Sequence, residues 1–131
     1  MVKKDIFISY SHKDSIWVRT ELLPKLESHN FTTLVDYRDF TTGSLGIDEM
    51  ANAVELCKRT LLVLSPDYIA SSWSSFENAM AQSLDPAARW RRVITVLLKD
   101  CTLPLRLSII HYRDLRLGDA DEWDRLFRDL I

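Results

Sequence analysis

Thr60-Leu61-Leu62-Val63-Leu64-Ser65-Pro66-Asp67-Tyr68-Ile69-Ala70-Ser71-Ser72-Trp73-Ser74-Ser75-Phe76-Glu77 decides the fold. Thr60 to Leu64 is a continuous apolar run, as expected of a strand covered on both faces. Ser65-Pro66-Asp67 then supplies a capping hydroxyl, a proline at the first helical position and an acid near the positive helix end. The helix it starts would bury Ile69, Trp73, Phe76, Met80 and Leu84, and Asp85-Pro86 would end it. Trp73 and Glu77 stand four residues apart and so share a helix face, which predicts one carboxylate beside one indole. They follow the carboxyl end of a strand, where open α/β sheets bind ligands. A carboxylate against an aromatic wall can stabilise a cationic sugar centre, which points to chemistry on a glycosidic bond. Without context, though, such a glutamate is a solvated surface residue. Trp73, at core spacing between Ile69 and Phe76, serves packing equally well.

The same alternation extends in both directions. Asp5 to Ser9 reads as the first strand, and Asp14 to Ser28 as a helix with Val18, Leu22 and Leu26 on one face, stopped by Asn30. Phe31 to Val35 is the second strand. Ile47 to Cys57 is a helix with Ile47, Met50, Ala51 and Val54 at helical spacing. Val93 to Leu98 and Ile109 to Tyr112 give strands four and five, joined by an irregular connection through Leu103-Pro104-Leu105. Asp121 to Leu130 closes the chain with Trp123, Leu126, Phe127 and Leu130 inward. Arg89, Arg91 and Arg92 make a small basic patch around Trp90, expected to cap the third helix. Strand–helix alternation with short links predicts an α/β domain: a flavodoxin-like three-layer sandwich with a central five-stranded parallel sheet.

Bulk properties narrow the function. The 131 residues suit one domain over 1–131 and carry no repeat or linker. A net charge of −2 argues against a nucleic-acid binder, which needs a basic face to displace counterions. No run approaches a membrane span, and none reads as a secretory signal, so a cytoplasmic location is expected. Cys57 and Cys101 lack a CxxC spacing and read as small hydrophobes, while His12, His29 and His111 lack a metal-ligand spacing, so no metal is expected. The turn Tyr10-Ser11-His12-Lys13-Asp14-Ser15 has no glycine, which excludes a GxGxxG dinucleotide turn and a phosphate loop. The positions of a phospho-acceptor site hold Ser9-Tyr10 and Ser65-Pro66 instead of acids, and no GxSxG elbow is present.

Asp5-Ile6-Phe7-Ile8-Ser9-Tyr10-Ser11 resembles the first signature box of the Toll/interleukin-1 receptor (TIR) domain family. Tyr37-Arg38-Asp39-Phe40-Thr41-Thr42-Gly43 is similar to its second box, RDxxPG, with Thr42 in the place of proline. Leu62-Val63-Leu64-Ser65-Pro66 with Trp73 and Glu77 resembles the family's third strand and following helix. The resemblance covers essentially the whole chain, although the third box, Phe-Trp, is not evident and only Trp123 stands near its place. The compact boxes look more like the microbial branch than an animal receptor tail.

The resemblance implies one of two functions. Some TIR domains cleave NAD+ at the nicotinamide–ribose bond with a glutamate on the third helix, giving nicotinamide and ADP-ribose or a cyclised form. That makes Glu77 the catalytic candidate, with Trp73 packing on the substrate and NAD+ a substrate rather than a cofactor. Phe7, Ser9 and Tyr10 would face the cleft, and Ser11 and His12 would meet phosphate or ribose hydroxyls. Asp36, Arg38, Phe40 and Leu45 would belong to a lid in which Arg38 pairs with a phosphate or, equally, with Asp39. Such enzymes become active when protomers stack, and they serve as modules of longer proteins in defence. Other TIR domains are adaptors without catalysis that assemble homotypically through the loop from Asp36 to Gly46. A third possibility, a nucleoside-processing enzyme with Glu77 as covalent nucleophile, carries less weight.

Overall fold

The computed structural model describes residues 4–36, 46–83 and 85–131, with residues 46 and 47 described by their backbone alone. The strands are β1 (Lys4–Ser9), β2 (Thr33–Leu34), β3 (Cys57–Leu64), β4 (Val93–Leu97) and β5 (Tyr112–Asp114). All pair in parallel, in the order β2-β1-β3-β4-β5. After β1 the chain adds β2 on one side and then crosses to place β3 on the other. The carboxyl ends of β1 and β3 therefore flank the topological switch point, where such sheets leave a crevice.

β3 explains the layers. Its side chains alternate between faces, so Leu61 and Val63 join one apolar cluster while Leu62 and Leu64 join another. The first cluster packs the sheet against α1 (residues 15–28) and α7 (Ala120–Leu130), through Val18, Leu22, Leu26, Trp123, Leu126 and Leu130. The second packs it against α3 (Pro66–Ser71) and α4 (Trp73–Ala81), through Tyr68, Trp73, Phe76 and Met80. Phe7, Ala53 and Cys57 form a third, smaller group beneath α2 (Gly46–Leu56). Cys57 and Cys101 are free thiols.

Several elements differ from the sequence expectation, each for a local reason. The single helix expected from Ser65 onward breaks at Ser72, whose ψ is −24° but whose φ reaches −118°. Just before the break, Ser71 Oγ donates to the Asp67 carbonyl at 2.6 Å, the kind of back-bond that bends helices. Within α1 the stretch Val18–Leu22 is π-helical, and the Leu23 N–H reaches back to the Val18 carbonyl. Pro24 follows at once; it has no N–H to give residue 20, and the widened turn relieves its ring.

Asp85-Pro86 starts a helix instead of ending one, since α4 already closes at Ala81. Asp85 accepts from the Ala88 N–H and starts α5 (Pro86–Trp90). Arg89 of this helix pairs with Glu55 on α2 rather than capping the third helix. The connection after β4 contains α6 (Leu105–Ser108), which buries Leu107 and moves β5 on to residue 112. Cys57 opens β3 instead of closing the preceding helix, and β2 is two residues long. Leu84 and the side chain of Ile47, both expected in the core, lie outside the described residues.

Polar contacts fasten both ends of the sheet. At the amino end, Asp5 Oδ2 accepts from the Thr32 N–H at 2.8 Å, and the Asp5 N–H donates to Thr32 Oγ1 at 2.9 Å. At the carboxyl end, the carboxylate of Asp14 is buried beneath the surface turn. It accepts from Ser65 Oγ at 2.5 Å and from Lys99 Nζ at 3.2 Å. Ser65 in turn caps α3, accepting from the Tyr68 N–H at 3.1 Å.

Two stability experiments follow from these contacts. Ser65→Ala removes a cap and takes the hydroxyl donor from a buried carboxylate, leaving it to Lys99, so it should cost about 2–4 kcal/mol in urea unfolding with an unchanged m-value. A loss no larger than that of exposed Ser71→Ala would sink this account. The Thr32 N–H holds the Asp5 carboxyl below its ordinary range, with the Thr32 hydroxyl and Lys58 adding to the effect. A depressed acid contributes stability above the unfolded value, about pH 4, and loses it as pH falls through the lowered one. Asp5→Asn should therefore cost about 1 kcal/mol at pH 7, and the gap to the parent should narrow in unfolding curves taken below pH 3.

Candidate functional site

A hollow of about 150 Å³ opens at the switch point. Phe7 and Ile8, from the buried end of β1, form its floor with Met50 from α2. Ser9, Ser71, Ser72 and Ser75 surround it with hydroxyls, and Tyr10, His12 and Asp36 stand at its mouth. The break at Ser72 helps to turn the serines of α3 and α4 toward one space.

The mouth is held by one carboxylate. Tyr10 donates its hydroxyl to Asp36 Oδ1 at 2.8 Å, and His12 Nε2 lies 2.7 Å from Asp36 Oδ2. The Asp36 side chain remains 28% exposed, so it is both fixed and reachable. Deeper in, Ser9 Oγ lies 2.9 Å from the Tyr68 hydroxyl. Tyr68 is fully buried, and that burial raises its phenol well above the ordinary range, with the Ser9 contact opposing it. Tyr68 therefore stays a neutral partner that orients Ser9.

Phe7, Ser9, Tyr10, His12 and Asp36 thus line one hollow. Ser11 does not join them. Its buried side chain accepts from the Lys13 N–H at 3.3 Å and caps the 3-10 turn His12–Asp14. Arg38, Phe40 and Leu45, with most of the expected lid, lie outside the described residues.

Trp73 is 6% exposed and is a core side chain, 6.2 Å from the Phe76 ring and 6.0 Å from Trp90 between centroids. Glu77 is exposed and borders a different, wider depression of about 530 Å³ with Asn78, Ala81, Pro86, Trp90 and Arg106. There the Arg106 guanidinium sits 4.4 Å from the centre of the Trp90 ring. Ser75 and Glu77, two positions apart on α4, point to opposite flanks of the helix. Trp90 shares that depression with Glu77, whereas Trp73 does not line it.

The serines and Met50 escaped the sequence reading. The signal was present in Ser71-Ser72-Trp73-Ser74-Ser75, a run of hydroxyls one short helix after a strand that ends at the switch point. Among the described residues, no group of three or more His, Cys, Asp or Glu side chains is placed to hold a metal ion. No described helix is long and apolar enough to cross a membrane.

A family model for the TIR domain matches residues 6–131. The chain belongs to the TIR domain family. The TIR domain of the Toll-related receptor TRR-2 from Hydra magnipapillata superposes with a TM-score of 0.82 at 29% identity, over 98% of each chain. A TIR-STING receptor from C. gigas matches at 28% identity and a TM-score of 0.73, over 98% of this chain and 40% of that one. Toll-like receptor 6 of Dasypus novemcinctus is 41% identical over 71 residues, which are 54% of this TIR domain and 9% of the receptor. The chain thus spans a small part of the curated relatives it matches. These relatives are animal proteins, so the expected microbial affiliation finds no support in them.

Two substitutions separate packing from surface in this TIR domain. Trp73→Ala should lower stability by about 3–5 kcal/mol, as for a buried aromatic side chain. Glu77→Gln should stay within about 0.5 kcal/mol of the parent, as exposed positions do. Denaturant unfolding of both variants decides, and a Trp73 variant as stable as the parent would contradict its place in the core.

Proposed function

We propose that this TIR domain cleaves the nicotinamide–ribose bond of NAD+, releasing nicotinamide and ADP-ribose or a cyclised form, and that it does so in an assembly of protomers. The observation that carries this reading is the convergence of Phe7, Ser9, Tyr10, His12 and Asp36 on one hollow at the switch point. Hydroxyls and a carboxylate over an apolar floor suit a ring joined to a sugar.

The reaction asks little of the protein by way of proton transfer. The departing pyridinium takes the electron pair of the breaking C–N bond and leaves as neutral nicotinamide, so it needs no general acid. The positive charge passes to the ribose carbon, where an ionised carboxylate stabilises it. Water then bonds to that carbon and gives up a proton to the solvent, or a ring nitrogen of adenine bonds to it in the cyclising case. A lone glutamate suffices for this chemistry, and Glu77 is the candidate.

Glu77 borders a flank away from the hollow, so one protomer does not bring the two together among its described residues. That separation favours a reaction that awaits stacking, with the hollow and the carboxylate meeting only in the assembled state. Stacked TIR domains, further domains of a longer protein, a cytoplasmic site and a role in defence belong to the same proposal.

A second reading, a signalling adaptor without catalysis, draws support from the 41% identity to a Toll-like receptor segment. It also accounts for an exposed Glu77.

The deciding assay follows NAD+ and nicotinamide with the purified protein, dilute and then clustered on a surface, beside Glu77→Ala. We expect turnover that rises on clustering and falls at least about 100-fold in the variant, as for loss of a group that stabilises developing charge. Self-association without any turnover would favour the adaptor.

A further inference from the structure

Both ends of α7 carry features that the proposed reaction leaves unused. At its start, the turn after β5 presents Leu117 to solvent at 93% exposure. A lone exposed leucine is ordinary on a protein surface, but this one is held still. Arg116, just before it, grips Asp114 through Nε at 2.9 Å and Nη2 at 2.6 Å, and also pairs with Asp100. Gly118, just after it, takes a φ of 66° and donates its N–H to the Leu115 carbonyl at 3.2 Å. Asp119 then caps α7 by accepting from the Asp121 N–H at 3.0 Å. Leu117 therefore stands as a fixed apolar knob, in a collar where Asp100, Asp114 and Asp119 outnumber Arg116.

At the other end of α7, Phe127, Leu130 and Ile131 wall a depression of about 330 Å³ together with His29, Asn30 and Phe31. A cavity of about 150 Å³ already takes a benzene ring, so this one has room for a leucine side chain. Asp5 and Lys58 complete the lining and pair with each other at 3.3 Å. Lys4 and Arg59 adjoin that pair in sequence, and Arg128 lies in the last turn of α7. Against these cations stand Asp5 and Glu27, so the rim is basic where the collar is acidic. The 11 residues of α7 hold knob and hole about 16 Å apart.

We propose that Leu117 of one copy enters the depression walled by Phe127, Leu130 and Ile131 of a second copy. The inference rests on the assembly in the reading above and not on its chemistry. Apolar knob meets apolar hole, and acidic collar meets basic rim. A turn already fixed in the free protein loses little freedom on docking. The two patches differ and lie at opposite ends of one helix, so the contact is heterologous. Each end of a pair then keeps a free knob or a free hole, and the row extends. One side chain and a ring of charges make a weak joint, which forms where copies are crowded. The joint draws on residues other than the loop from Asp36 to Gly46.

Sedimentation velocity of the 131-residue protein at rising concentration, up to about 1 mM, reads the joint without any turnover. We expect association that weakens in high salt. Leu117→Ser removes the knob and Ile131→Glu places an acid in the hole, and each should weaken association at least about tenfold. The two side chains are 93% and 86% exposed, so both variants should keep the circular dichroism of the parent. Mixing the variants decides the geometry. One still offers a hole and the other a knob, so together they should form dimers that grow no further.

A parent that stays monomeric overturns the inference, as does either variant associating like the parent. So does a mixture no more associated than its separate parts. A mixture that pairs, from a parent that never consumes NAD+ when clustered, keeps the joint and loses the proposed reaction. A clustered parent that consumes NAD+ while its association ignores Leu117 keeps the reaction and loses the joint.

Discussion

The carboxylate of Asp14 is 1% exposed, and a buried charge of this kind persists only where partners neutralise and hydrogen-bond it. Ser65 and Lys99 are those partners, one following β3 and the other following β4. A single acid therefore joins the turn after β1 to the exits of the next two strands in the sheet. Ser65 also starts α3, and the second residue of that helix after proline, Tyr68, reaches the hydroxyl of Ser9 inside the hollow. The path from Lys99 to Ser9 runs through four contacts without a gap. The position of the hollow's wall thus depends on a group that the hollow itself never touches.

Much of this architecture was legible in the chain. Ser65-Pro66-Asp67 states a helix start through three separate local preferences, and Thr60 to Leu64 reads as a doubly covered strand, so β3 and α3 were plain. Five residues that line the hollow could be picked out from their place at a strand end and from the family boxes. What stayed hidden was decided by competition. Asp85-Pro86 has the same cap-and-proline logic as Ser65-Pro66, yet at the end of an apolar pattern it reads as a stop. Ser71 and Ser72 divide one amphipathic pattern into two helices through hydroxyl bonds that periodicity does not register. Leu107 recruits the β4–β5 connection into the core and so displaces β5 by three residues. Trp73 and Glu77 share a helix face in projection, but the face curves away from the core between them, leaving one buried and the other in water.

The arrangement around α4 bears on how a fold shared by receptors and enzymes can serve both. The hollow draws on α3 and the first turn of α4, while Glu77 borders a depression that Trp90 and Arg106 also line. The hollow and Glu77 thereby lie on separate surfaces of one short helix. A chain built in this way can use either surface or both. Likeness to a Toll-like receptor over half the chain is compatible with either outcome, because function resides in the site rather than in the fold.

The continuous apolar run of β3 has one more consequence, in the encoding of alignment. In a half-buried strand, alternation of apolar and polar residues fixes the pairing, since a slip of one residue turns the wrong face to water. Leu61-Leu62-Val63-Leu64 contains no such alternation, and a slipped strand would bury nearly the same surface on both sides. The information that aligns β3 must therefore come from its ends. Thr60 hands its N–H to the Arg92 carbonyl at 3.1 Å, and Ser65 meets Asp14. Two small hydroxyl residues bracketing the apolar run act as its punctuation, and greasy substitutions between them should be far better tolerated in evolution than the gain or loss of a single residue.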